Sequence, residues 1–88
     1  MAVVTTQVTV RYFAAARAAS GRDSEPLDLP PGATVGDALD AVRDRHGEAL
    51  GRVLDRCSFL LDEVAVRDRD TVLPTGASLD VLPPFAGG

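Results

Sequence analysis

Residues 34–46, TVGDALDAVRDRH, carry the reading that decides the fold. Val35, Ala38, Leu39 and Val42 recur at the spacing of one helical face, which predicts an amphipathic helix with a buried apolar stripe. Thr34 stands where it can cap the first turn, and Asp37 where the acid of a capping box lies. Gly47 supplies the stop. A stripe of this kind needs a partner layer, and the flanking sequence offers strands for it.

Upstream, residues 7–13 (QVTVRYF) alternate as a half-buried strand does. Val8, Val10 and Tyr12 point one way; Gln7, Thr9, Arg11 and Phe13 point the other. Phe13 is the odd member, an aromatic ring on the polar side. Residues 14–20 (AAARAAS) favour a brief helical turn that Gly21 ends. Residues 24–29 read as a second strand with Leu27 and Leu29 inward. Pro26 cannot donate to a ladder, so this strand belongs at a sheet edge. Residues 30–32 (PPG) form a loop.

Downstream, Leu50, Val53 and Leu54 suggest a second short turn of helix. Residues 57–61 (CSFLL) read as a buried strand, turned at Asp62 and Glu63 into a brief strand over 64–66. Residues 74–77 make another turn, and 79–82 form the last strand. Strand, strand, helix, then short strands predict an α+β domain, a mixed sheet of four to five strands over one main helix. The domain is expected over residues 7–82, after a loose lead-in at 1–6 and before an extended tail at 83–88.

That tail is the part a finished domain does not need. Residues 82–88 read LPPFAGG. Pro83 and Pro84 fix φ and favour an extended path, so the last strand leads into a stiff spacer. Phe85 follows, and Ala86, Gly87 and Gly88 then carry almost no side chain, which lets a foreign backbone approach closely. Fully extended, the five residues after Pro83 reach roughly 16–18 Å. The result is a thin probe ending in an α-carboxylate, shaped to enter a channel in another protein. If the strands carrying Phe13 and Leu82 are neighbours, both side chains face outward beside the root of the tail. An apolar spot outside the core, with Phe85 just beyond, marks a contact surface.

The bulk composition narrows the partners. The chain has 88 residues, is 45% hydrophobic and carries a net charge of −4; its nine basic residues are all Arg and are scattered among acids. Without a basic patch to neutralise phosphates, nucleic-acid binding is not expected. No apolar run approaches the ~20 residues that cross a bilayer, and no secretory signal is visible, so no membrane role and a cytoplasmic location are expected. A single cysteine, Cys57, excludes an internal disulfide, and no spacing suggests a metal site. Cys57 reads as a small core residue. His46, at the end of the helix, has no partner in register for catalysis. The acids at 62–63 and the Arg–Asp alternation at 67–70 read as solvated turns. Nothing in this pattern catalyses a reaction alone.

A terminal carboxylate becomes useful once activated. An ATP-using partner converts it to an acyl-adenylate, whose AMP leaves readily. Attack by sulfur then gives a thiocarboxylate, and attack by an amine gives an amide. The residues leave both outcomes open.

VRYFAAAR at residues 10–17, followed by Gly21 and ending in LPPFAGG, resembles the sulfur-carrier small subunit of molybdopterin synthase. The likeness runs from about Val8 to Gly88, is specific at the two ends, and is greatest to the actinobacterial type. It implies a ubiquitin-like β-grasp fold. It further implies that Gly88 is adenylated by an adenylyltransferase related to ubiquitin-activating enzymes and becomes 1-thioglycine with sulfur from a donor protein. The tail would then enter the synthase large subunit and give sulfur to cyclic pyranopterin monophosphate. The carrier would bind no cofactor itself; ATP serves the activating partner. The family's contact positions fall on Phe13, Leu82, Phe85, Gly87 and Gly88. Relatives often place Asn-Gly where this chain has Asp62 and Glu63, which predicts a differently built, longer loop there. Carriers for thiazole or cysteine synthesis, a ubiquitin-like modifier and an inert interaction module are the alternatives.

Overall fold

Side-chain alternation is realised residue by residue in β1 (Thr6–Tyr12), where Thr6, Val8, Val10 and Tyr12 are buried and the residues between them exposed. The structure, a computed structural model, describes residues 4–84. β1 begins at Thr6, one residue before the expected start, because Thr6 already pairs with Leu29. α1 (Ala14–Ser20) follows at once and ends on Gly21, whose φ of 74° is the left-handed cap expected of a glycine.

β2 (Ser24–Leu29) pairs antiparallel with β1 and occupies the sheet edge, as Pro26 requires. α2 (Val35–His46) buries Val35, Ala38, Leu39 and Val42, the stripe read from the sequence. Its capping box is complete: the Asp37 amide donates to Thr34 Oγ1 at 3.2 Å, and the Thr34 amide to Asp37 Oδ2 at 3.0 Å. The next amides of the first turn, on Val35 and Gly36, donate to the carbonyls of Thr71 and Arg69, both at 2.9 Å. The long loop before the last strand thus satisfies groups that a helix end leaves open.

α3 (Glu48–Leu54) starts directly after α2, and Gly47 makes that possible. Its φ of 82° with ψ of −163° is a backbone region open essentially to glycine alone. β3 (Ser58–Leu61), β4 (Val64–Ala65) and β5 (Ala77–Leu82) complete a five-stranded sheet in the order β2-β1-β5-β3-β4. β5 lies in the middle, parallel to β1 and antiparallel to β3.

Two expectations need correction. The β3–β4 connection is a two-residue turn and not a longer loop, since Leu61 pairs with Val64. Asp62 and Glu63 supply the positive φ values, 47° and 70°, that a primed turn requires. Asp62 is held there because its amide donates to the Ser78 carbonyl while its Oδ1 accepts from the Ser78 amide, each at 2.9 Å. Cys57 lies just before β3 and is only partly buried, with its thiol 3.1 Å from the Val53 carbonyl.

The inward faces of the sheet and the apolar faces of the three helices share one core. Leu39, Leu50, Leu54 and Leu79 are its largest fully buried apolar side chains. Among the described residues no helix is long and apolar enough to cross a membrane.

Candidate functional site

The site begins where β5 ends. Tyr12 lies opposite Val81 in the parallel ladder, and the Phe13 amide donates to the Val81 carbonyl at 3.3 Å. Tyr12 and Val81 point into the core, so Phe13 and Leu82, one residue further along each strand, fall on the opposite face. Phe13 keeps extended dihedrals, φ −122° and ψ 148°, and so stays on that face. Ala14 then turns the chain with φ of 51°. Such a conformation costs a residue with a Cβ about 1–2 kcal/mol, and the junction holds it.

The strands carrying Phe13 and Leu82 are therefore neighbours. Both side chains are half-buried, so the apolar spot expected to be exposed is partly covered. Arg11 does part of the covering: its guanidinium carbon sits 5.4 Å from the centre of the Phe13 ring. The same side chain brings Nε to 3.3 Å from Asp80 Oδ1. Asp80 alternates with Val81 and so shares the outward face of Leu82. Only 8% of Asp80 is exposed even so, and Oδ1 accepts no aligned hydrogen bond among the described residues. Leu60 pairs with Asp80 and joins the same face, an addition that its apolar strand concealed in the sequence. The helix-free face of the sheet is thus a half-buried apolar strip, Phe13, Leu82 and Leu60, split by one ion pair.

Pro83 and Pro84 carry the chain away from this strip. Pro83 is buried and Pro84 exposed. Phe85, Ala86, Gly87 and Gly88 lie outside the described residues.

A second feature is absent from the sequence reading. Glu25, at an inward position of β2, has a side chain with no exposure. Its Oε2 accepts from the Tyr12 hydroxyl at 2.6 Å and touches His46 Nε2. Its Oε1 pairs with Arg45 at 2.6 Å and Arg22 at 3.5 Å. Burial alone would raise the Glu25 carboxyl, but hydrogen bonds from Tyr12, Arg45 and His46 outweigh it and hold it at about 2. Burial, reinforced by the Glu25 hydrogen bond, pushes the Tyr12 phenol well above its ordinary value. The cluster ties β1 and β2 to the end of α2, and every polar partner is accounted for within the domain. We read it as structural. An acid at an alternation position facing inward, with Arg45 and His46 ending the one long helix, was the available signal.

No catalytic set emerges among the described residues. Burial pushes the Cys57 thiol above its ordinary value, which disfavours the nucleophilic thiolate. Among the described residues no group of three or more His, Cys, Asp or Glu could hold a metal. The arrangement offers a contact face with Pro83 and Pro84 following directly from its edge.

Comparisons with known proteins agree with that geometry. A model of the ThiS family matches residues 10–88. The molybdopterin synthase sulfur carrier subunit of Phaeosphaeria nodorum is 31% identical over 87 residues, covering 91% of this chain and 88% of that protein. A structure described as molybdopterin converting factor, subunit 1, from Pyrococcus furiosus superposes with a TM-score of 0.82 at 30% identity, covering 91% of this chain and 99% of that one. SAMP1, a small archaeal modifier protein from Haloferax volcanii, gives a TM-score of 0.83 at 30% identity, covering 93% of this chain and 99% of that one.

Proposed function

The chain belongs to the ThiS family, and on that premise we propose that it is the sulfur carrier of molybdopterin synthesis, with Gly88 as the loading point. It is a ubiquitin-like carrier subunit without catalysis of its own. The observation that carries this reading is the placement of β5. A central strand runs straight into Pro83 and Pro84 beside the strip of Phe13, Leu82 and Leu60, so a docked partner meets the departing chain. The strip supplies affinity while the tail reaches the chemistry.

In the proposed sequence, the Gly88 carboxylate attacks the α-phosphorus of ATP in an adenylyltransferase related to ubiquitin-activating enzymes, and pyrophosphate leaves. Hydrosulfide delivered by a sulfur donor then attacks the acyl carbon, AMP leaves with the C–O bond electrons, and a proton is released. The thiocarboxylate enters the synthase large subunit and transfers sulfur to cyclic pyranopterin monophosphate. ATP is consumed by the partner, the carrier needs no bound cofactor, and the setting is cytoplasmic.

Similarity to a small archaeal modifier protein favours one second reading, in which an amine attacks the same activated glycine and an amide forms. Intact-mass measurement after incubation with the activating enzyme, ATP and a sulfur donor separates the two. Exchange of one oxygen for sulfur at Gly88 supports the carrier. Adducts on other proteins without that exchange support the modifier.

A further inference from the structure

A hollow on the helical side of the domain lies away from the strip. It is a groove of about 550 Å³ between α3 and the root of the tail. Ala15, Val53, Pro83 and Pro84 give it apolar walls, and Arg52 and Arg56 border it. Asp55 also borders it, but its carboxylate is engaged by Arg43 at 2.6 Å.

Among the described residues neither arginine is firmly engaged. Arg52 meets Glu48 only at 3.8 Å, with both side chains more than four-fifths exposed (81% and 92%). An exposed pair of that kind contributes little. Arg56 makes no ion pair among the described residues. The chain as a whole carries −4, so this groove is a cationic, apolar-walled site on an acidic protein. One wall is the backbone that leads into the tail, so an enzyme that accepts the tail is brought against it.

We propose that this groove docks a segment of the synthase large subunit that presents an apolar side chain flanked by carboxylates. The apolar group fits between Val53 and the two prolines, and the carboxylates meet Arg52 and Arg56. The inference rests on the carrier reading given above. It adds a second contact that grips the tail root from the side opposite the sheet strip and fixes the direction in which the tail departs. Opposite charges at a rim raise the encounter rate and are weakened by salt.

Calorimetric titration of the unmodified carrier into the large subunit tests it, using wild type and Arg52→Glu/Arg56→Glu at two salt concentrations. Both side chains are exposed, so the melting temperature should not change. The reversal should raise Kd about tenfold and flatten its salt dependence, with Arg52→Gln/Arg56→Gln in between. Thiocarboxylate formation by the activating enzyme should stay at the wild-type rate. An unchanged Kd overturns the proposal, and so does a slowed activation with normal binding, which would assign the groove to the activating enzyme. A wild-type protein that acquires no sulfur would overturn the carrier reading instead, while the titration still judges the groove.

Discussion

Tyr12 donates its hydroxyl to Glu25 at 2.6 Å from inside the core, and Arg45 and His46 at the end of α2 close on the same carboxylate. The pair locks the sheet to its main helix through a charge that has no access to water. Glu25 is ionised down to about 2, against an ordinary value of 4.5. Its folded-state value is depressed, so its contribution is fully present above about 4.5 and is lost as pH falls toward 2. Glu25→Gln should destabilise the protein by about 3 kcal/mol at neutral pH, since it leaves the cations without their counter-charge. It should also flatten the acid limb of stability. Melting curves between pH 7 and pH 2 measure both; parallel acid limbs for the two proteins would show that Glu25 is not the group being titrated.

The β3–β4 turn stores strain at Glu63, which holds φ of 70° without a glycine. Glu63→Gly relieves a left-handed penalty of about 1–2 kcal/mol and loses part of that gain to unfolded-chain entropy. A net gain of about 0.5–1 kcal/mol is expected in urea unfolding. Asp62 stays, because its carboxylate receives the Ser78 amide. A destabilised variant would mean that Glu63 makes a favourable contact outweighing its strain.

Phe13→Asp and Leu82→Asp probe the sheet strip. Both side chains are half-buried on the face away from the helices, so each variant should fold and bind the large subunit at least tenfold more weakly, roughly 1.4 kcal/mol. Binding by calorimetry and melting by circular dichroism must be read together. Loss of binding in step with loss of folding would move those side chains into the core.

Removal of Gly88, or extension beyond it, should abolish sulfur loading and leave the melting temperature nearly unaltered, because the apolar core among the described residues has Val81 as its last member. Loading is read as mass and cofactor synthesis as product. A truncated carrier that still supports synthesis would sink the mechanism.

Much of this was legible beforehand, for physical reasons. Val8, Val10 and Tyr12 alternate because one face of β1 is buried and the other is not. Val35, Ala38, Leu39 and Val42 keep helical spacing because α2 has a single core-facing stripe. Pro26 reported an edge through the donor it lacks. What stayed hidden depends on tertiary pairing. Glu25 looked like an ordinary strand acid until Arg45 and His46, far along the chain, were brought to it. Alternation gives the outward direction of Asp80 but not its cover, which is the side chain of Arg11 on another strand. The turn at Asp62 and Glu63 defied local preference because Ser78 holds it from outside. For the candidate site, Phe13 and Leu82 could be paired from alternation, whereas Leu60 needed the strand order.

The parallel β1–β5 contact has a bearing on how the protein is made. β1 is synthesised well before β5, yet β5, the last strand among the described residues, is its neighbour on one side. Until then β1 can form only the hairpin-like half of the sheet with β2, and the middle stays open. Closure over so long a sequence separation tends to be slow. The nascent polypeptide therefore acquires its sheet centre only once β5 has been made.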